Sequence, residues 1–252
     1  MQDLSEFHSG IDYDCQYSHL YDDEITFIQH LITEHKLTSM LDLCCGTGIV
    51  TIPLSRLLSD TLGVDIHPAM LETAKGKRQG KDNVDFVQAD ACSFSAGRQF
   101  DLVIMTGNAF QAFLDEESVD ALVNNVNRHL NAGGFLVFDK RLPIESQLAL
   151  DEDWVVEKGY QDQNGDHVAS SHKLAKYDEY SNIVYYEMQR TFADGTTRLT
   201  SIDLKFRSLE DIDRLLSKAG LSVIERFSSW KGNDLNADSG NLVCIARKSC
   251  NN

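Results

Sequence analysis

Apolar residues recur along the first 142 positions in two alternating rhythms. Short runs at 41–43, 61–66, 84–91, 100–107 and 135–139 have the length of strands. Between them, stripes spaced three and four residues apart read as helices: Ile25, Ile28, Leu31 and Ile32, then Ile49, Ile52, Leu54, Leu57 and Leu58, then Val119, Leu122, Val123, Val126 and Leu130. His67-Pro68-Ala69-Met70-Leu71 has the form of a further helix start, with proline where a missing N–H is tolerated. Residues 100–107 are almost continuously apolar, the mark of a central strand covered on both faces. Strands alternating with helices predict an α/β fold with a doubly wound parallel sheet, and such sheets bind ligands at the carboxyl ends of their strands.

From about residue 143 to 207 the period falls to two. Residues 183–192 and 198–206 read as strands, the second with Ile202, Leu204 and Phe206 on one face, and Asn164-Gly165 and Asp194-Gly195 read as hairpin turns. Ser208 then caps a helix with the face Leu209, Ile212, Leu215 and Leu216, Gly220 ends it, and strands follow at 221–227 and 241–247. A core of residues 1–142 and 207–252 is therefore expected. An antiparallel β insertion, residues 143–206, either covers the carboxyl edge of the sheet or forms a homodimer surface.

Composition narrows this picture. A chain of 252 residues with 42% hydrophobic content can bury one α/β core with a sizeable insertion. The net charge of -16 disfavours nucleic acid, whose binding draws on Lys and Arg displacing counterions. No window approaches the ~18 apolar residues of a membrane span, and residues 1–6 lack a basic then apolar leader, so a cytoplasmic location is expected. Cysteines 15, 44, 45, 92, 244 and 250 form no CxxC pair, and His167 and His172, five apart in a strand, point to opposite sides. No metal site is expected.

Candidate chemistry collects at the strand ends. In Met40-Leu41-Asp42-Leu43-Cys44-Cys45-Gly46-Thr47-Gly48-Ile49, a buried strand runs into a glycine turn that opens a helix, whose free N–H groups suit a carboxylate. Asp65 closes the second strand, 17 residues beyond Gly48, where a carboxylate can accept from both hydroxyls of a ribose or, alternatively, cap the next helix. Asp90 closes the third strand and can accept from an adenine amine, with the N–H of Ala91 donating to a ring nitrogen; a plain loop acid is the alternative.

Leu41-Asp42-Leu43-Cys44-Cys45-Gly46-Thr47-Gly48 resembles the first motif of the class I S-adenosylmethionine-dependent methyltransferases, with Cys44 where that family usually has glycine. Tyr13-Asp14-Cys15-Gln16-Tyr17 is similar to the Tyr-Asp-x-x-Tyr that precedes this motif in small-molecule members and folds over the cofactor. The resemblance implies a Rossmann-like sheet of seven strands, mostly parallel, the last inserted antiparallel. It also implies S-adenosylmethionine as cofactor, S-adenosylhomocysteine as product, and a site of Tyr13, Tyr17, Cys45, Gly46, Gly48, Asp65, Ile66, Met70, Asp90, Ala91, Thr106, Gly107 and Phe110. Ile66 is expected on the adenine with Met70 closing the pocket nearby, and Thr106-Gly107 above the methionine part. Residues 108–113 lack the Asn or Asp, Pro-Pro, aromatic motif of family members acting on nucleobase amines or glutamine, which lowers the odds of those acceptors. Phe110 is read as a wall of the site and Phe113 as core.

The expected reaction is methyl transfer from S-adenosylmethionine to a nitrogen or oxygen of a small molecule. Alternatives are an NAD-dependent oxidoreductase, which shares the glycine turn and Asp65 but leaves Asp90-Ala91 unexplained, and a non-catalytic S-adenosylmethionine-binding module. Phe110, Trp154, Tyr177 and Arg207 are the candidate acceptor contacts. No residue is assigned as catalytic; a hydroxyl acceptor would want a base, for which His19, Tyr13 and His172 are the candidates. Cys44→Gly is expected to preserve cofactor binding.

Overall fold

A computed structural model of the chain describes residues 5–78, 80, 82–142 and 148–250. The chain starts with helices α1 (Gly10–Tyr17) and α2 (Asp22–His35), then alternates β1 (Ser39–Leu43), α3 (Thr51–Leu54), β2 (Asp60–Asp65), α4 (Pro68–Lys77), β3 (Val84–Gln88), β4 (Phe100–Met105), α5 (Glu116–His129) and β5 (Leu130–Arg141). Antiparallel pieces follow: β6 (Val155–Val156), β7 (Tyr160–Gln161), β8 (His167–Asp178), β9 (Ile183–Thr191) and β10 (Thr197–Lys205). Helix α6 (Leu209–Lys218) and strands β11 (Leu221–Phe227) and β12 (Asn241–Lys248) complete it.

Seven strands form one sheet in the order β11-β12-β5-β4-β1-β2-β3. Strands β1 to β5 pair in parallel, whereas β12 runs antiparallel between β5 and β11. This is the doubly wound, mostly parallel seven-stranded α/β fold that the sequence predicts. On one face, α5 and α6 press Val119, Leu122, Val126, Ile212 and Leu216 against Phe100, Val103 and Leu136. On the other, α2 sets Ile28 and Ile32 against Met40, Leu102 and Ile104. Caps open two helices: Asp115 Oδ1 accepts from the N–H of Ser118 before α5, and Ser208, the expected cap, forms a capping box with Asp211 before α6, each such cap contributing about 1 kcal/mol. Helix α3 is shorter than its apolar stripe predicts. It gives way to a 3-10 turn at Ser55–Leu57, where Ser55 Oγ donates to the carbonyl of Ile52.

The period-two segment folds as a second sheet, β10-β9-β8-β6, with β7 also on β8. Its turns are tight at Gly165 and Gly195, whose φ values of 86° and 83° demand glycine. The expected start of the insertion at residue 143 lies outside the described residues. Among the described residues, no helix is long and apolar enough to cross a membrane.

Candidate active site

A cavity of about 620 Å³ opens at the carboxyl ends of β1, β2, β3 and β4. Its floor is the turn after β1. Cys44, Gly46 and Gly48 all take left-handed backbone there, with φ of 61°, 54° and 72°. This conformation costs a non-glycine residue about 1–2 kcal/mol, so Cys44 sits where glycine would be relaxed. Gly48 faces away from the cavity, and a Cβ there would meet the Phe86 ring at 2.9 Å. Its role is close packing of turn against sheet.

Asp65 is tied to that turn. Its Oδ2 accepts from the N–H of Gly46 and its Oδ1 from the N–H of His67, each at 2.8 Å. Burial raises its pKa, and these two bonds oppose the rise. Each oxygen keeps a lone pair, so the carboxylate can still accept from two vicinal hydroxyls. The helix-cap alternative takes a modified form, because Asp65 bonds His67 while His67 itself makes no side-chain cap for α4. Ile66 lies half exposed on the wall, and Met70 is buried behind it. Asp90 Oδ1 accepts from the N–H of Cys92 at 2.8 Å, and Ala91 is fixed by its carbonyl accepting from buried Asn125. These groups, with Cys45, Thr106 and Gly107, line one cavity. Their donor and acceptor set fits an adenosyl group: the two oxygens of the Asp65 carboxylate for ribose hydroxyls, the Asp90 carboxylate for an exocyclic amine, and a glycine turn for an amino-acid end.

The N-terminal segment covers the cavity with Phe7, Tyr13 and Tyr21. The Tyr13 and Tyr21 hydroxyls are 2.7 Å apart. Burial pushes Tyr13 up to about 12 and Tyr21 well above the ordinary tyrosine value, so both phenols stay protonated. Polar ties hold α1 down on both sides. Asp14 accepts from Thr47 and from Lys77, each at 2.5 Å, and Asp12 accepts from Tyr160 at 2.7 Å. Glu6 forms a buried ion pair with Arg190 of β9, and Thr200 of β10 donates to Glu6 at 2.5 Å.

Several residues fall elsewhere than the sequence reading puts them. Tyr17 lies outside the cavity lining, against Glu6 and Arg190. Phe110 and Phe113 exchange places: Phe110 is buried and stacked on Phe138, whereas Phe113 lines the cavity. The short turn after Asn108 rotates the first ring into the core. Arg207 is buried beneath Phe110 and reaches the carbonyl of Asp115, so it braces the start of α5 instead of facing the cavity. Tyr177 bonds Asn182 across its own hairpin, and Trp154 sits outside the lining. The second sheet reaches the cavity through Ile202, Asp203 and Leu204 of β10. Of the candidate bases, His19 is exposed outside the cavity and His172 pairs with Glu157 at 3.0 Å. Tyr21, Asn108 and Arg141 also line the cavity; of these, Tyr21 carries a sequence signal, four residues after Tyr17 in the series Tyr13, Tyr17, Tyr21.

Residues 40–134 match a family described as Methyltransferase domain. Among curated proteins, cypemycin N-terminal methyltransferase of a Streptomyces species is 32% identical over 44% of this chain and 45% of that protein. The chain spans about half the length of the curated relatives it matches. Two solved structures share the fold. One is an S-adenosylmethionine-dependent methyltransferase from Clostridium acetobutylicum, with TM-score 0.79, 19% identity, and coverage of 93% of this chain and 98% of that one. The other is a cofactor-bound amino pentose methyltransferase from Micromonospora echinaspora, with TM-score 0.75, 20% identity, and coverage of 94% and 96%. These likenesses decide between the nucleotide cofactors that the glycine turn and Asp65 leave open. Residues 40–134 thus match a methyltransferase domain, in a chain that shares the fold of S-adenosylmethionine-dependent methyltransferases.

Proposed function

We propose that the protein transfers the methyl group of S-adenosylmethionine to a nitrogen atom of a small-molecule amine. The observation that carries the choice of nitrogen is the state of the groups around the transfer space. The Tyr13 and Tyr21 phenols are held protonated by burial, and His19 and His172 lie outside the cavity, which leaves its lining the carboxylates of Asp65, Asp90, Asp115 and Asp203 and the imidazole of His67 as bases. A hydroxyl acceptor would need a strong base within hydrogen-bond reach, whereas an amine needs only to arrive without its extra proton. The sulfonium donor is already activated. The protein's part is to hold the acceptor in line and to keep water out, which the α1 cover and the apolar Phe113, Ile202 and Leu204 are placed to do.

Gly46, Asp65, Asp90, Ala91 and Thr106 would hold the cofactor, and Asn108, Arg141 and β10 would shape the acceptor space. Two similar proteins, the cypemycin N-terminal methyltransferase and the amino pentose methyltransferase, have names that agree with a nitrogen acceptor. The test is S-adenosylhomocysteine formation across matched panels of amines, phenols and carboxylates. Turnover of amines is expected. Turnover confined to phenols or carboxylates would refute the nitrogen assignment, and cofactor binding without turnover of any class would favour a binding module.

A further inference from the structure

We propose that Asn125 and His129, buried on the inner face of α5, are positioning residues for base recognition. They hold the loop after β3 so that Asp90 and Ala91 can read the edge of the cofactor's adenine. The inference rests on the adenosyl site described above and on no choice of acceptor. It begins from two polar groups set in an apolar helix face.

Helix α5 turns Val119, Leu122, Val123 and Val126 into the core, and Asn125 and His129 lie among them at 0% and 2% exposure. The Asn125 Nδ2 group donates to the carbonyl of Ala91 at 2.8 Å, while its Oδ1 has no partner among the described residues. One hydrogen bond made and one buried polar atom left unpaired roughly offset each other in stability. An apolar residue would serve the core equally well, so the bond to Ala91 is what the amide supplies.

His129 completes the grip one helical turn later. Its Nδ1 lies 2.9 Å from the carbonyl of Asn125, which can only accept, so the ring proton sits on Nδ1. That leaves Nε2 as the acceptor for the N–H of Ala96 at 3.0 Å. Burial lowers the His129 pKa, which keeps this neutral tautomer in place. The ring also stacks on Phe94, with centroids 5.3 Å apart and planes 13° from parallel. A third tie comes from Cys92, whose thiol donates to the carbonyl of Ser118 at 3.3 Å. The loop is therefore fixed to α5 at Ala91, Cys92, Phe94 and Ala96.

What the loop presents is an acceptor beside a donor. The N–H of Ala91 has no hydrogen-bond partner among the described residues, and Ala91 lines the cavity. Asp90 Oδ1 accepts from the N–H of Cys92, which leaves Oδ2 for a ligand. This pair matches adenine, whose edge carries an amine N–H beside a bare ring nitrogen. Hypoxanthine has the reverse pattern, a carbonyl oxygen beside a ring N–H, and would set oxygen against oxygen and hydrogen against hydrogen. Such discrimination depends on the spacing of the two groups, and Asn125 grips the residue that carries the donor.

Calorimetric titration of the full chain with S-adenosylhomocysteine and with its hypoxanthine analogue, S-inosylhomocysteine, tests this without turnover. The wild type should prefer the adenine ligand on the order of a hundredfold. In Asn125→Leu, which is similar in volume, the adenine ligand should bind about tenfold more weakly while the analogue changes little, so the preference narrows. His129→Leu should behave alike. His129→Gln should restore the preference, because a glutamine carbonyl can accept from Ala96 where Nε2 does. Equal weakening of both ligands, or an unchanged preference in both leucine variants, overturns the positioning role, because a merely structural loss does not tell one base from the other. Amide exchange of the free protein gives a second reading. Amides 92–96 should exchange about tenfold faster in the leucine variants while β4 keeps its protection. Protection lost throughout the chain overturns the proposal. A wild-type protein that binds neither ligand refutes the adenosyl site itself, before any variant is compared.

Discussion

Replacing Arg190 by Met isolates the latch that holds the N-terminal cover on the cavity. Arg190 and Glu6 are 3% and 8% exposed. The guanidinium donates to Glu6 Oε2 at 2.9 Å, to Gln16 Oε1 at 2.8 Å and to Thr200 Oγ1 at 3.2 Å. Met keeps most of the apolar stem and removes every one of these bonds. A carboxylate left buried without its partner costs about 3–5 kcal/mol. The remaining ties of α1 are partly exposed, such as Lys77 to Asp14 and Arg198 to Asp12, and each contributes about 0–1 kcal/mol. Their sum is smaller than the cost of the stranded charge. Glu6 should therefore escape to water by lifting the cover, not by unfolding the core. Amide exchange of Gly10–Tyr17 should accelerate about a hundredfold, with S-adenosylhomocysteine binding at least tenfold weaker by calorimetry. Amides of β4 should keep their protection. If α1 protection is unchanged while the core loses about 3–5 kcal/mol, the cover is an inseparable part of the fold and this reasoning is wrong.

Other consequences follow from single sites. Cys44→Gly should be about 1 kcal/mol more stable to urea than Cys44→Ala, because only glycine relieves the left-handed φ of 61°, and both should still bind S-adenosylhomocysteine; equal stabilities would show that no strain resides there. Asp42 is buried with its pKa raised to about 7, and Thr51 donates to its Oδ2 at 2.5 Å. A carboxyl raised in the folded state contributes stability in full below its unfolded pKa and loses it as pH rises toward 7. Asp42→Asn should flatten the fall in unfolding free energy between pH 4 and 7, and an unchanged slope would contradict the assignment. Phe110→Ala should cost about 3–5 kcal/mol of stability, whereas Phe113→Ala should leave stability within about 1 kcal/mol and weaken acceptor or cofactor binding; the reverse pattern would restore Phe110 to the site.

Much of the architecture was legible because the signals are local. Leu41 and Leu43 around Asp42, the stripe from Val119 to Val126, and the caps at Ser208 and Asp211 each act within a few residues. The acids at the ends of β2 and β3 could be placed for the same reason: a parallel sheet brings its strand ends to one edge whatever lies between them. Residues whose roles depend on distant partners were not legible. Arg207 reads as an acceptor contact at the end of the insertion, yet it is buried beneath the start of α5. Nothing near Phe110 or Phe113 in the chain says which ring turns inward, since Phe138, 28 positions beyond Phe110, decides it.

By itself, the sequence determined the strand and helix series, the glycine turn at Gly46, and the acids at Asp65 and Asp90, all consequences of short-range periodicity and turn chemistry. The tertiary structure alone decided what covers the cavity and what lies beneath it. Glu6 meets Arg190 across 184 positions, and Asp12 meets Tyr160 across 148. A charge or a proton is held inside a protein by whatever the fold packs around it, and that surrounding is written in no single stretch of the chain.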